Sequence, residues 1–110
     1  MVCITVRDDR TIVNDHNGLS SGINENQFIL LSCMPGGALS KEEIIELVWL
    51  SRGLIVSDSS YYQLMYQLRK SFVNIGCANT IKTIPRWGVH ILCEIEYIPF
   101  HYRKTELRKV

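Results

Sequence analysis

The side chains best suited to recognising a partner lie between Ser59 and Lys70. Gln63 and Gln67 are four residues apart, so a helix places them on one face, one turn from each other. A glutamine amide carries both a donor and an acceptor and matches the major-groove edge of adenine. Arg69 and Lys70 can reach guanine edges or phosphate oxygens. This combination predicts a helix that reads double-stranded DNA.

We predict two groups of DNA-contacting residues. The first group shares a predicted third helix and consists of Ser59, Ser60, Tyr62, Gln63, Tyr66, Gln67, Arg69 and Lys70. The second group belongs to a predicted hairpin and consists of Lys82, Thr83, Arg86 and Trp87. An arginine at the tip of a hairpin suits a narrow, electronegative minor groove, and a large aromatic side chain at a turn often marks a contact surface.

The charge distribution supports an anionic partner for the second half of the chain. The 110 residues carry a formal net charge of only +1. Residues 1–57 are acidic on balance, whereas residues 58–93 contain four basic side chains and the single carboxylate of Asp58. A basic segment that includes both predicted contact groups favours binding to a polyanion.

Three helices are predicted to position these residues. Asn24, with a glutamine three residues later, predicts an N-cap for a helix over 25–33. The sequence Ser-Lys-Glu-Glu from residue 40 predicts a capping box for a helix over 41–49. Asp58 is the predicted cap of the third helix, over 59–74, whose inner stripe is Tyr61, Met65, Leu68 and Phe72.

Strands are predicted on both sides of these helices. Residues 1–23 alternate in the manner of short strands separated by turns. Thr80–Ile84 and a strand from Val89 to Ile98, which Pro99 ends, predict a hairpin with its turn at 85–88. A loop over 50–57 separates the second and third helices, and Pro35-Gly36-Gly37 ends the first.

Several other classes of protein are disfavoured. The cysteines at 3, 33, 77 and 93 form no C-x-x-C pair, so we expect reduced, buried thiols and no metal site. The three histidines are isolated from other ligands, and catalytic or phosphate-binding motifs are absent from the sequence. We therefore expect neither an enzyme nor a cofactor nor a small-molecule substrate. The sequence has no apolar run of membrane-spanning length, which predicts a cytoplasmic domain.

The chain resembles the OmpR/PhoB-type winged helix-turn-helix domains, and within them the ToxR/CadC-like branch. The resemblance covers residues 24–93 and depends on four segments in order: Ser40 to Trp49 (SKEEIIELVW), Val56-Ser57-Asp58, Leu68 to Phe72 (LRKSF) and Ile81 to Val89 (IKTIPRWGV). The intact P-R-x-G turn is typical of the ToxR/CadC-like branch. Two features depart from the family: the outer face of the third helix is poor in arginine, and Val89 replaces a common aromatic residue.

The resemblance implies an α+β winged helix-turn-helix: an N-terminal antiparallel sheet over 1–23, three helices over 24–75 and a hairpin wing over 80–98. The remaining residues, 99–110, would be a basic tail or the start of a linker. The implied function is the DNA-binding effector domain of a bacterial transcription regulator, acting as a possible homodimer. The intact protein would continue past Val110 to an inner-membrane helix. The alternative is a protein-interaction module that contacts RNA polymerase or a partner regulator.

Overall fold

A computed structural model describes residues 2–33 and 37–99. Its strands are β1 (Val2–Arg7), β2 (Thr11–Asn14), β3 (Ser20–Gly22), β4 (Gly37–Ser40), β5 (Ile81–Ile84), β6 (Gly88–Ile91) and β7 (Glu94–Ile98). Its helices are α1 (Glu25–Cys33), α2 (Lys41–Val48) and α3 (Asp58–Asn74), with a short 3-10 turn at Leu50–Arg52. The α+β class predicted from the sequence is confirmed, and the order of elements is compatible with a winged helix.

The first sheet is four-stranded, in the order β3-β2-β1-β7. The neighbours β1 and β2, and β2 and β3, are antiparallel, whereas β7 runs parallel to β1. Ile4, Val6 and Ile12 on these strands are completely buried. Their alternation with more exposed residues gives the sheet one face directed at the core.

The second sheet is three-stranded, in the order β4-β6-β5, and all of its pairs are antiparallel. Strands β5 and β6 form the predicted hairpin, which we call the wing (residues 81–91). Strand β4 was not predicted. Residues 37–40 pair with β6 and so attach the wing to the segment immediately before α2.

The three helices pack on the sheets through one continuous apolar core. The predicted stripe of α3 is buried as expected: Tyr61, Met65, Leu68 and Phe72 are each at most 7% exposed. Side chains from α1 and α2 join it, among them Leu30, Leu31, Ile44 and Val48. Burial of a large apolar side chain stabilises a fold by about 1.5–3 kcal/mol, so this core fixes the orientation of α3 and its outer face.

Two helix boundaries differ from the prediction. Helix α3 begins at Asp58, and its N-cap is Ser57, whose hydroxyl accepts from the backbone N–H of Ser60. Both Ser57 and Asp58 have capping side chains, but only Ser57 has the extended backbone that an N-cap requires. Helix α2 ends at Val48, one residue earlier than predicted.

The strand predicted from Val89 to Ile98 is two strands. Strand β6 ends at Ile91, and the chain then leaves the wing and enters the other sheet as β7. Leu92, which interrupts the alternation of apolar residues, is 51% exposed at this junction. The interruption therefore marked a change of sheet and not an irregularity within one strand.

The prediction that the cysteines are buried is only partly correct. Cys93 is buried, Cys77 is half-buried and Cys33 is exposed. The predicted helix terminator at Pro35 and Gly36, and the tail beyond Pro99, lie outside the described residues.

Candidate nucleic-acid interface

The outer face of α3 presents a line of uncharged polar side chains that ends in one cation. Ser59, Gln63, Tyr66 and Lys70 are spaced by three or four residues, and all four are exposed. Tyr62 lies beside this line and is 60% exposed, close to the 62% of Tyr66. The helix has 17 residues, a length of about 25 Å.

One flank of α3 is fixed to the wing by Arg69. The guanidinium donates to the carbonyl oxygen of Ile81 at 2.8 Å and also to the hydroxyl of Thr83. Both acceptors belong to β5, so the side chain bridges the helix and the hairpin. Arg69 and Thr83, predicted as DNA contacts, are therefore bound to each other in the free protein. Their arrangement sets the angle between α3 and the wing.

The other flank of α3 is fixed to α1 by Gln67. The side-chain amide nitrogen of Asn24 donates to the amide oxygen of Gln67 at 2.8 Å. Gln67 is half-buried, unlike Gln63, which is exposed one turn earlier. Asn24 was predicted only as a helix cap, and its contact with α3 was not predicted.

The tip of the wing is a tight turn over Ile84–Trp87. The backbone N–H of Trp87 donates to the carbonyl of Ile84 at 3.0 Å. Pro85 in the second position and Arg86 at a φ of +63° in the third are typical of a type II turn, in which glycine usually takes the third position. Arg86 is exposed, and the indole of Trp87 is 42% exposed. Both side chains of the predicted contact pair therefore face solvent.

Gly88 allows the wing to approach β4. A Cβ atom on this buried residue would lie 2.1 Å from the carbonyl oxygen of Leu39 and 2.7 Å from the Cα of Ser40. Both of these neighbours are backbone atoms, which cannot move aside as a flexible side chain can. The glycine of the P-R-x-G motif is thus required by close packing in this chain.

The N-terminus of α2 connects the wing to the start of α3. The backbone N–H of Lys41 donates to the carbonyl of Trp87 at 2.7 Å, and its ammonium lies 3.1 Å from the carboxylate of Asp58. The same ammonium is 5.1 Å from the centre of the Tyr62 ring. The hydrogen bond to Asp58 raises the pKa of Lys41 above its usual value of 10.5. Lys41 was not predicted as a site residue, because its pairing with Asp58 spans two helices.

The electrostatics of the face depend on few charges. Asp58, an acidic side chain at the start of α3, is partly neutralised by Lys41. Lys70, Lys82 and Arg86 are exposed, and Arg69 contributes a fourth positive charge between them. The face is therefore basic on balance but carries its cations mainly on the wing and at the C-terminal half of α3. The exposed side chains of the N-terminal half of α3 carry mainly hydroxyl and amide groups.

Residues 2–33 and 37–99 contain no group of three or more histidine, cysteine or acidic side chains arranged to hold a metal ion. Among the same residues, every helix is too short or too polar to span a membrane.

Comparison with known proteins identified two transcriptional activators. The chain is 34% identical over 77 residues to the cholera toxin homolog transcriptional activator of Vibrio parahaemolyticus, a match that covers 68% of this chain and 26% of that protein. It is 29% identical over 79 residues to the cholera toxin transcriptional activator of Vibrio cholerae, covering 70% of this chain and 27% of that protein. The chain thus spans about a quarter of the length of these relatives. No family model matches it. The sequence is therefore similar to one segment of two bacterial transcriptional activators.

Proposed function

We propose that this chain is a sequence-specific double-stranded DNA-binding domain of the OmpR/PhoB type, in the ToxR/CadC-like branch. Its role would be that of the effector domain of a bacterial transcription regulator. The observation that carries the proposal is the bridge from Arg69 to β5, which holds the exposed face of α3 and the wing in one fixed arrangement. The similarity to two transcriptional activators supports the regulatory role.

In this proposal α3 enters the major groove and the wing approaches the adjacent minor groove. Gln63 and Gln67 contact base edges, with Ser59, Ser60, Tyr62 and Tyr66 beside them. Lys70 and Lys82 contact phosphates, while Arg86 and Trp87 reach the backbone or the minor groove. Arg69 and Thr83 contribute by holding the two elements together.

The small number of cations has a consequence for affinity. Each phosphate contact releases a counterion, so a face with about four cations gains less from electrostatics than an arginine-rich face. A single copy would bind DNA weakly, and two copies on adjacent half-sites would bind more tightly. We therefore propose that the domain acts as a homodimer on DNA, within a longer protein anchored in the inner membrane.

A salt titration of DNA binding tests the proposal. Affinity of the chain for duplex DNA, measured by fluorescence anisotropy, should fall as salt rises with a log–log slope of about −3 to −6. Lys70→Ala should reduce the magnitude of the slope by about one and weaken all sequences alike. Arg7→Ala is the matched control, because Arg7 is an exposed cation on β1, in the other sheet, and should leave the slope unchanged. Undetectable binding to a genomic library of duplexes at low salt would refute the proposal.

A second candidate function is supported by the connection between α2 and α3. Leu50, Leu54 and Ile55 are all exposed there, with Ile55 at 98%. Three neighbouring apolar side chains on the surface favour a protein contact. In this alternative the winged helix binds another regulator or RNA polymerase. Ile55→Asn would then weaken complex formation with purified RNA polymerase, whereas the DNA-binding proposal expects DNA affinity to be independent of this uncharged substitution.

A further inference from the structure

The side-chain amide of Gln67 has one defined orientation, which is determined by the residues that cap α1. The N-cap of α1 is a reciprocal capping box: the backbone N–H of Gln27 donates to the side-chain oxygen of Asn24 at 2.9 Å. In return, the backbone N–H of Asn24 donates to the side-chain oxygen of Gln27, also at 2.9 Å. Because the oxygen of Asn24 is engaged in the cap, its NH₂ group is the part that remains to face α3.

This NH₂ group determines which end of the Gln67 amide points outward. It donates to the Gln67 oxygen at 2.8 Å, and an NH₂ group can only donate, so the Gln67 oxygen must turn toward Asn24. The NH₂ group of Gln67 is then the end of the amide that points away from Asn24.

Gln27 forms hydrogen bonds with the same part of α3 on the buried side of the helix. Its side-chain NH₂ donates to the backbone carbonyl of Gln67 at 3.1 Å and to the hydroxyl of Ser71 at 2.9 Å. Gln27 is 3% exposed and Ser71 7%, so these bonds are shielded from water. The side chain of Gln67 is therefore held by Asn24 and its backbone carbonyl by Gln27, the two residues of the α1 capping box.

We infer that Asn24 is a positioning residue for DNA recognition, and that it makes Gln67 a hydrogen-bond donor to a keto base. This inference rests on the proposed function. At the exocyclic position of the major groove, guanine O6 and thymine O4 accept hydrogen bonds, whereas adenine N6 and cytosine N4 donate them; N7 accepts in both purines and does not distinguish them. A glutamine whose oxygen turns toward Asn24, and whose NH₂ group contacts that exocyclic position, selects guanine or thymine there. The bidentate adenine pairing predicted from the sequence is then assigned to Gln63 alone, which is exposed one turn earlier.

Asn24→Asp provides a sharp test, because aspartate is isosteric with asparagine and is also a good N-cap. Its second carboxylate oxygen replaces the NH₂ group, so it can only accept from Gln67. The Gln67 amide must then rotate and present its oxygen to the DNA. We expect the preference at one base pair to change from keto to amino bases, by about three- to tenfold in relative affinity.

Two further variants separate this effect from a general loss of binding. Asn24→Ser retains the cap but has no NH₂ group, so the keto preference should disappear without an amino preference replacing it. In a Gln67→Ala background, Asn24→Asp should leave the preference unchanged, because the side chain that transmits the effect is missing. Thermal unfolding of each variant checks that the fold is retained. The added negative charge of aspartate lowers affinity for all sequences and so does not alter the ratio between them.

Selection from random duplexes decides between these outcomes when it is performed with the unaltered chain and four variants: Asn24→Asp, Asn24→Ser, Gln67→Ala, and Asn24→Asp combined with Gln67→Ala. A keto-to-amino change in Asn24→Asp that depends on Gln67 supports the inference. Sequence-selective binding with the same preference in Asn24→Asp and the unaltered chain overturns the inference and leaves the proposed function intact. Failure of the unaltered chain to bind any duplex overturns both.

Discussion

Arg86 combines a strained backbone with a side chain placed at the tip of the wing, and Arg86→Gly separates the two. A left-handed backbone costs a non-glycine residue about 1–2 kcal/mol, and the φ of Arg86 is +63°. Glycine removes this cost but adds about 0.4–1 kcal/mol of conformational entropy to the unfolded chain. The net result should be a gain of about 0.5–1 kcal/mol in the free energy of unfolding. For a domain of this size, that raises Tm by about 2–4 °C.

The same substitution should weaken DNA binding. Loss of the guanidinium removes one contact with phosphate or the minor groove, so the salt slope should decrease in magnitude by about one. Arg86→Ala is the matched control: it removes the same charge but keeps the strained backbone, so it should weaken binding equally without the gain in Tm. Differential scanning calorimetry and fluorescence anisotropy measure the two effects. Equal Tm values for the glycine and alanine variants would refute the strain argument, and an unchanged salt slope would refute the contact.

Three further predictions concern the frame around the interface. Gly88→Ala should lower the free energy of unfolding by about 3 kcal/mol in urea titrations, because its Cβ would overlap the backbone oxygen of Leu39; a loss below about 1 kcal/mol would contradict the packing. Arg69→Met should accelerate amide hydrogen exchange in β5 and weaken DNA binding while Tm changes little, and unchanged exchange would show that the bridge is dispensable. Burial raises the pKa of Tyr61 above 10.0, so its contribution to stability is complete below pH 10 and is lost as the pH rises through the folded-state value. Above pH 10, the free energy of unfolding of Tyr61→Phe should therefore fall less than that of the unaltered chain. If the two free energies fall in parallel, ionisation of Tyr61 is not the cause of the loss.

The local parts of the fold were predictable from the sequence. The capping box that joins Ser40 and Glu43 is present as predicted, and α1 has the predicted bounds. The stripe from Tyr61 to Phe72 is buried because its spacing follows the helical period. Each of these features depends on residues no more than a few turns apart, which is the range over which spacing and capping patterns carry information.

The features that were missed depend on contacts between distant residues. Residues 37–40 have no strong strand pattern, and they become β4 because β6, about 50 residues later, pairs with them. The bond from Asn24 to Gln67 and the bridge from Arg69 to β5 likewise join separate elements. Side-chain type identified Gln67 and Arg69 as polar residues of α3, but only the packing of α1 and the wing against that helix determines which of their atoms face solvent.

The parallel pairing of β1 with β7 has a consequence for how the chain folds. Val2 to Arg7 pair with Glu94 to Ile98, so the last described strand completes the sheet that the first one begins. Contacts of such long sequence separation form slowly, because a loop of nearly the whole domain must close before they add stability. During synthesis β1 therefore keeps one edge unpaired until β7 has left the ribosome. Helix α3 and the wing are made before the sheet that supports them is finished. The unpaired edge of β1 during that interval exposes the domain to aggregation.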